Sequence, residues 1–142
     1  MEITYEQTYQ EPLAHFGAEL VQMIKNRNYL GVCDCFGYAM TYGRPLADAI
    51  AFDIEHNLTI EGRSAIVDPL REARILVKYF KQPNDCKLFG LVECFLPLDQ
   101  DDGELLVELI VTTKENKFYV GLEGVSYEHP KISSSAGALG AA

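Results

Sequence analysis

The chain has no tryptophan, three histidines, and twelve basic residues against twenty-one acidic ones. Each shortage excludes something. A formal charge of −9 leaves no Lys/Arg footprint for a phosphate backbone, so nucleic acid is not an expected partner. No window approaches the roughly 18–20 consecutive apolar residues that a membrane-spanning helix needs, so no membrane association is expected. The opening Met-Glu-Ile-Thr-Tyr-Glu has neither the basic nor the apolar stretch of a secretory signal, and a cytoplasmic location is expected. His15, His56 and His129 stand far apart in the sequence, with no assignable partner for acid–base or metal chemistry. Ser64, in Gly62-Arg63-Ser64-Ala65, is not in a Gly-x-Ser-x-Gly nucleophile elbow. No catalytic residue, metal ligand or cofactor is expected.

Cysteine is present four times, in an unhelpful pattern for metal or disulfide. Cys33 and Cys35 are closer than a zinc knuckle requires. Cys86 and Cys94, read on one strand, would stand roughly 26 Å apart, out of reach of a shared bond. In a reducing compartment the four behave as small, buried hydrophobes.

At 142 residues the chain is long enough for one core and too short for two. Pro12 introduces apolar residues at Leu13, Phe16, Leu20, Val21 and Ile24, the spacing of one buried helix face, running to about Asn26. Asp34 is a candidate cap for a short helix, Cys35 to Tyr42, ending at Gly43. Pro45 starts another, with Leu46, Ile50, Ile54 and Leu58 spaced by four, to about Asn57. The stretch Ala73–Lys81 reads both ways. Leu70, Ala73, Val77 and Phe80 have helical spacing, but alternation of Ile75, Val77 and Tyr79 before the turn Gln82-Pro83-Asn84-Asp85 favours a strand. A meander follows: Cys86–Leu96, the acidic loop Pro97–Gly103, Glu104–Thr113 and Lys117–Ser126. The expected architecture is a single α+β domain over residues 1–130, its N-terminal helices packed on one face of a three- to four-stranded antiparallel meander. Residues 131–142, small and Ser/Gly/Ala-rich, are expected to be a flexible tail.

Charge is unevenly spread. Between Leu88 and Thr113 there are six acidic residues and no basic one, whereas Arg63–Lys87 holds six basic residues against three acidic. Period two puts Leu105, Val107, Leu109, Val111 and Thr113 on one side of their strand, and Glu104, Leu106, Glu108, Ile110 and Thr112 on the other. The next strand buries Phe118, Val120 and Leu122 and leaves Tyr119, Gly121 and Glu123 outward. Both apolar sides face one core if Glu115-Asn116 is a two-residue turn pairing Lys114 with Lys117. That register sets Glu108 opposite Glu123. If Leu96 also pairs with Leu105, then Glu93, Glu108 and Glu123 form a row among Phe89, Phe95 and Tyr119. Like charges opposed across a sheet repel; a cationic partner would relieve them, and the competing readings are a face covered by the chain's own N-terminal arm or carboxylates that stand apart in water, screened. The loop Asp99-Gln100-Asp101-Asp102-Gly103-Glu104 has its glycine at position five, where an EF-hand needs it at six, so it reads as a solvated loop or a contact for basic residues. The candidate partner-binding residues are Glu93, Asp99, Asp101, Asp102, Glu104, Glu108, Tyr119 and Glu123.

Met40-Thr-Tyr-Gly-Arg-Pro-Leu46 after the first helices, and Phe95-Leu-Pro-Leu-Asp-Gln-Asp-Asp-Gly-Glu-Leu-Leu-Val-Glu-Leu109 in the meander, carry a resemblance. Over about half its length the chain resembles the small immunity proteins of bacterial polymorphic-toxin and contact-dependent inhibition systems. The tryptophan expected in the first strand of that pattern has no counterpart. The resemblance implies a cytoplasmic, non-catalytic inhibitor of one cognate toxin domain; acid suits a nuclease toxin with a basic surface. A second reading is a cone-shaped fold like nuclear transport factor 2, with Tyr79, Tyr119 or Asp53 in an apolar ligand pocket. A third is an adaptor that self-associates through its sheet face.

Overall fold

The computed structural model describes residues 1–100 and 102–129. Asp101 and the expected tail 131–142 lie outside them. The first strand, β1 (Glu2–Ile3), precedes a 3-10 turn (Glu6–Thr8) and three helices, α1 (Gln10–Lys25), α2 (Tyr29–Phe36) and α3 (Leu46–Thr59). Four longer strands complete the fold: β2 (Arg74–Tyr79), β3 (Leu88–Pro97), β4 (Glu104–Lys114) and β5 (Lys117–Glu128). They form one curled antiparallel sheet in the order β1-β5-β4-β3-β2. The fold is α+β, with five strands rather than three or four.

The fifth strand is the N-terminal arm. Met1 donates its amino group to Val120 O (2.9 Å) and accepts from Val120 N (2.8 Å), while Glu2 and Ile3 pair with Tyr119 and Phe118. Ile3 points into the core. A two-residue strand is too short for periodicity to reveal.

Each helix follows from a local rule. In α1 the residues Leu13, Phe16, Gly17, Leu20, Val21 and Ile24 are buried, one continuous stripe. The helix begins two residues before Pro12, which is tolerated in the first turn because its missing N–H has no helical partner there. The second helix corrects the expectation of Cys35–Tyr42. It is capped by Asn28, whose side chain accepts from Gly31 N (3.0 Å), and ends at Gly37 with φ of 67°. Asp34 lies within it rather than capping it. The break at Gly43-Arg44-Pro45 is present, with Gly43 at φ 82°, and α3 starts at Leu46.

The inward faces of β3, β4 and β5 meet the helices in one core containing Leu13, Leu20, Ile50, Ile54, Leu96 and Leu109. Lys114 pairs with Lys117 across the turn, and Leu96 with Leu105, as the alternation requires. Two bulges interrupt the registers, one between Leu88 and Gly90, the other opposite Glu108 and Leu109. Ala73–Lys81 resolves as strand over Arg74–Tyr79. Cys86 is not on β3 but exposed in the preceding turn, so the expectation of four buried thiols fails there. Cys94 is fully buried, and burial pushes its thiol up to about 12.

Gly17 is where α1 comes closest to the sheet. A Cβ there would lie 3.0 Å from Val92 Cγ1 and 3.1 Å from Cys94 Sγ and Ile75 Cγ2. Gly17→Val is expected to destabilise the fold by about 1–3 kcal/mol through overpacking. Urea unfolding measures this; a variant as stable as the parent contradicts the close approach.

Candidate functional site

Among the described residues no helix lies on the outward face of the sheet. Its side chains alternate with those of the core: Leu91, Glu93 and Phe95 from β3, Glu104, Glu108, Ile110 and the covered Leu106 from β4, and Tyr119 from β5. Glu93 stands directly opposite Glu108, as the register predicts. Glu123 does not. The bulge in β5 pairs Leu109 with Leu122 and Glu108 with Gly124, leaving Glu123 as the extra residue. Its charge still acts on Glu108. The three carboxylates thus form a cluster rather than a straight row. Of the aromatics expected beside them, Phe89 sits at the other bulge and turns its ring toward Tyr79 and Phe118.

The chain neutralises part of this acid itself. Antiparallel pairing lays the basic strand β2 beside acidic β3. Lys78 Nζ lies 2.8 Å from Glu93 Oε1, an ion-pair contact without the alignment of a hydrogen bond. Arg74 donates to Glu104 Oε1 (2.8 Å), and its guanidinium lies 4.3 Å from the centre of the Phe95 ring. The polarisation along the sequence is therefore cancelled in space at the β2 side of the sheet. Alternation within single strands does not reveal these two cations; that takes the β2–β3 register, which runs through the turn at residues 82–85. Arg74 and Lys78, alternating with the half-buried Ile75 and Val77, are the available signal.

Glu108 keeps no such partner. No Lys or Arg lies within ion-pair distance of it among the described residues. Its carboxyl is pushed above the ordinary range by burial first, then by the charges of Glu93, Glu123 and Glu128, against a smaller opposing effect of Lys78.

The remaining candidates scatter. Asp99 is committed to a tie between segments: its carboxylate accepts from Ile66 N (2.9 Å), and its own N–H donates to Ile66 O (3.0 Å). Gln100 donates from its side chain to Ser64 O. Asp102 is exposed, and Asp101 falls outside the described residues. Among the described residues no three His, Cys, Asp or Glu side chains could hold a metal ion.

A second polar cluster fixes the loop between α2 and α3. Arg44 grips Asp53 with two nitrogens (2.9 and 3.0 Å), and Tyr38 donates to the same carboxylate (2.6 Å). Arg44 also bonds Thr41 O and Met40 O, so the loop is tied to α3. The Arg44 hydrogen bonds hold the Asp53 carboxyl below the usual range, whereas burial and then the bond to Asp53 raise the Tyr38 hydroxyl. Tyr79 instead donates to Thr8 O (2.7 Å), and Tyr119 is on the outward face. The three groups of a proposed ligand pocket therefore sit apart.

No family model, curated protein or solved structure matches the chain. No helix among the described residues is long and apolar enough to cross a membrane.

A raised carboxyl pKa in the fold means that its contribution to stability is complete below the ordinary value. That contribution is lost as pH rises through the folded value. Glu108→Gln is therefore expected to raise the urea midpoint at neutral pH, and the gain to vanish in acid below about pH 4. A gain in acid alone, or a loss at neutral pH, contradicts it. For Asp53 the sign reverses. Asp53→Asn is expected to lower the midpoint at neutral pH, by an amount that shrinks as acid titrates the parent carboxylate.

Proposed function

We propose that this chain is a cytoplasmic, non-catalytic immunity-type protein. It binds one basic protein domain, such as a nuclease toxin, through the outward face of β3, β4 and β5. The observation that carries the reading is Glu108, set between Glu93 and Glu123 with no cation in ion-pair reach among the described residues. A guanidinium or ammonium group from a partner supplies what the fold leaves out. Around the carboxylates, Phe95, Ile110 and Tyr119 give apolar and aromatic area, the mixture that protein interfaces favour at their centre. The resemblance to toxin-immunity proteins supplies the class of partner, and charge complementarity explains the use of acid: it speeds encounter and selects against acidic competitors.

The ligand-binding alternative has less support. The space between helices and sheet is filled by fully buried side chains, including Leu13, Leu20, Ile50 and Leu109. The cleft near Tyr29 and Glu55, lined also by Ile54 and Leu58, holds only 140 Å³, and a larger hollow of about 500 Å³ beside Phe89 and Phe118 lies open at the surface rather than between helices and sheet.

The test is affinity for a basic nuclease-toxin domain, sought first among the genes neighbouring that of this chain. Glu108→Lys combined with Glu123→Lys is expected to weaken binding by roughly one to two orders of magnitude, chiefly at low salt. Calorimetry at two ionic strengths reads both effects. Unchanged affinity in a folded double variant removes this face from the interface.

A further inference from the structure

β2 ends the sheet on the side away from β1, and among the described residues only one of its edges is paired. The bond from Phe80 N to Phe89 O (3.0 Å) fixes the parity of that ladder. By that parity Arg74, Leu76 and Lys78 direct their backbone groups at β3, while Ile75, Val77 and Tyr79 direct theirs away from the sheet. No described hydrogen bond uses the N–H or C=O groups of these three residues. On the outward face of the same strand Leu76 is 41% exposed. Arg74 and Lys78, though each pairs with a glutamate, keep about half of their side chains in solvent.

An open edge invites another strand, and charge decides which. A second copy of β2 is a poor fit. Antiparallel pairing centred on Leu76 sets Arg74 opposite Lys78 of the other copy, and pairing centred on Val77 sets the two on a diagonal, so like charges meet either way. Residues 131–142 of the chain contain no acidic side chain, so they do not match the cations either. An acidic strand does match.

We propose that the free edge of β2 accepts an extended, acidic segment of a partner protein as a sixth strand. Carboxylates at alternate outward positions lie across from Arg74 and Lys78, and an aliphatic residue between them covers Leu76. The motif is acid-x-aliphatic-x-acid in an extended conformation. Ile75, Val77 and Tyr79 supply the backbone hydrogen bonds, which give affinity, and the two cations give selectivity. This edge is separate from the Glu108 face, and its occupant has the opposite charge.

The probe is a blocked peptide, Thr-Glu-Val-Leu-Val-Glu-Thr, titrated into the full chain, beside a counterpart with lysine for both glutamates. Saturable binding is expected, with the lysine peptide roughly tenfold weaker. New protection from hydrogen exchange is expected at the amides of Ile75, Val77 and Tyr79. Val77→Pro removes one outward N–H without breaking a bond to β3, as an edge strand allows, and is expected to weaken the acidic peptide. Arg74→Gln with Lys78→Gln keeps every backbone group and is expected to abolish the preference between peptides. Four results overturn the proposal: no binding, equal binding of both peptides, protection confined to other amides, or self-association of the chain through β2 in sedimentation.

Discussion

The burial of the inward face of β4 is the constraint from which the rest follows. Leu105, Val107, Leu109 and Val111 are fully buried. Each such side chain contributes about 1.5–3 kcal/mol relative to exposure. A like-charge pair opposed across two strands costs at most about 1 kcal/mol. Slipping the register by one residue to separate Glu93 from Glu108 would turn all four apolar side chains outward. The core therefore dictates where the carboxylates stand, and the repulsion is tolerated. That makes Glu108 a place where the fold is under electrostatic load, which a ligand can relieve and a core residue cannot.

The bulge in β5 is where the sequence reading and the structure part. Strict alternation put Glu123 opposite Glu108, because Phe118, Val120 and Leu122 set the parity of the strand. The inserted residue moves Gly124 to that position. A signal was present: the apolar residues switch from even numbers, through Leu122, to odd numbers at Val125 and Tyr127, both packed against the core. Such a change of parity within one strand requires one extra residue. The bulge also brings a residue without a side chain to face Glu108, so the closest crowding of carboxylates is avoided without moving the core.

Long, periodic segments were legible; short ones and those governed by a single cap were not. α1, α3, β4 and the first half of β5 carry enough apolar residues at fixed spacing for the pattern to decide. α2 has eight residues, and its position depends on one hydrogen bond from Gly31 N to the Asn28 side chain and on the positive φ of Gly37. Asp34 is an equally good capping residue by type, and composition cannot choose between them. The candidate site divides in the same way. The Glu93–Glu108 opposition followed from alternation, whereas the role of Asp99 in pinning Ile66 depends on a contact between segments distant in sequence, and that of Asp53 in holding Arg44 on how the loop before α3 folds back onto it.

Strand order, more than net charge, decides which carboxylates remain available. Neighbouring strands lie about 4.8 Å apart, so cations on β2 reach β3 directly and β4 only with a long side chain. Arg74 makes that longer reach to Glu104, and Lys78 stops at Glu93. From β2 to β5 is three spacings, or about 14 Å, beyond the screening length of about 8 Å at physiological salt. Glu123 and Glu128 on β5 therefore feel the basic strand weakly, and Glu108 feels both groups. The same sheet thus separates two kinds of surface by distance alone. One edge has its positive charge paired internally and its backbone open, and the middle of the face has its backbone paired and its negative charge open. A partner for the first must bring a strand. A partner for the second must bring a cation.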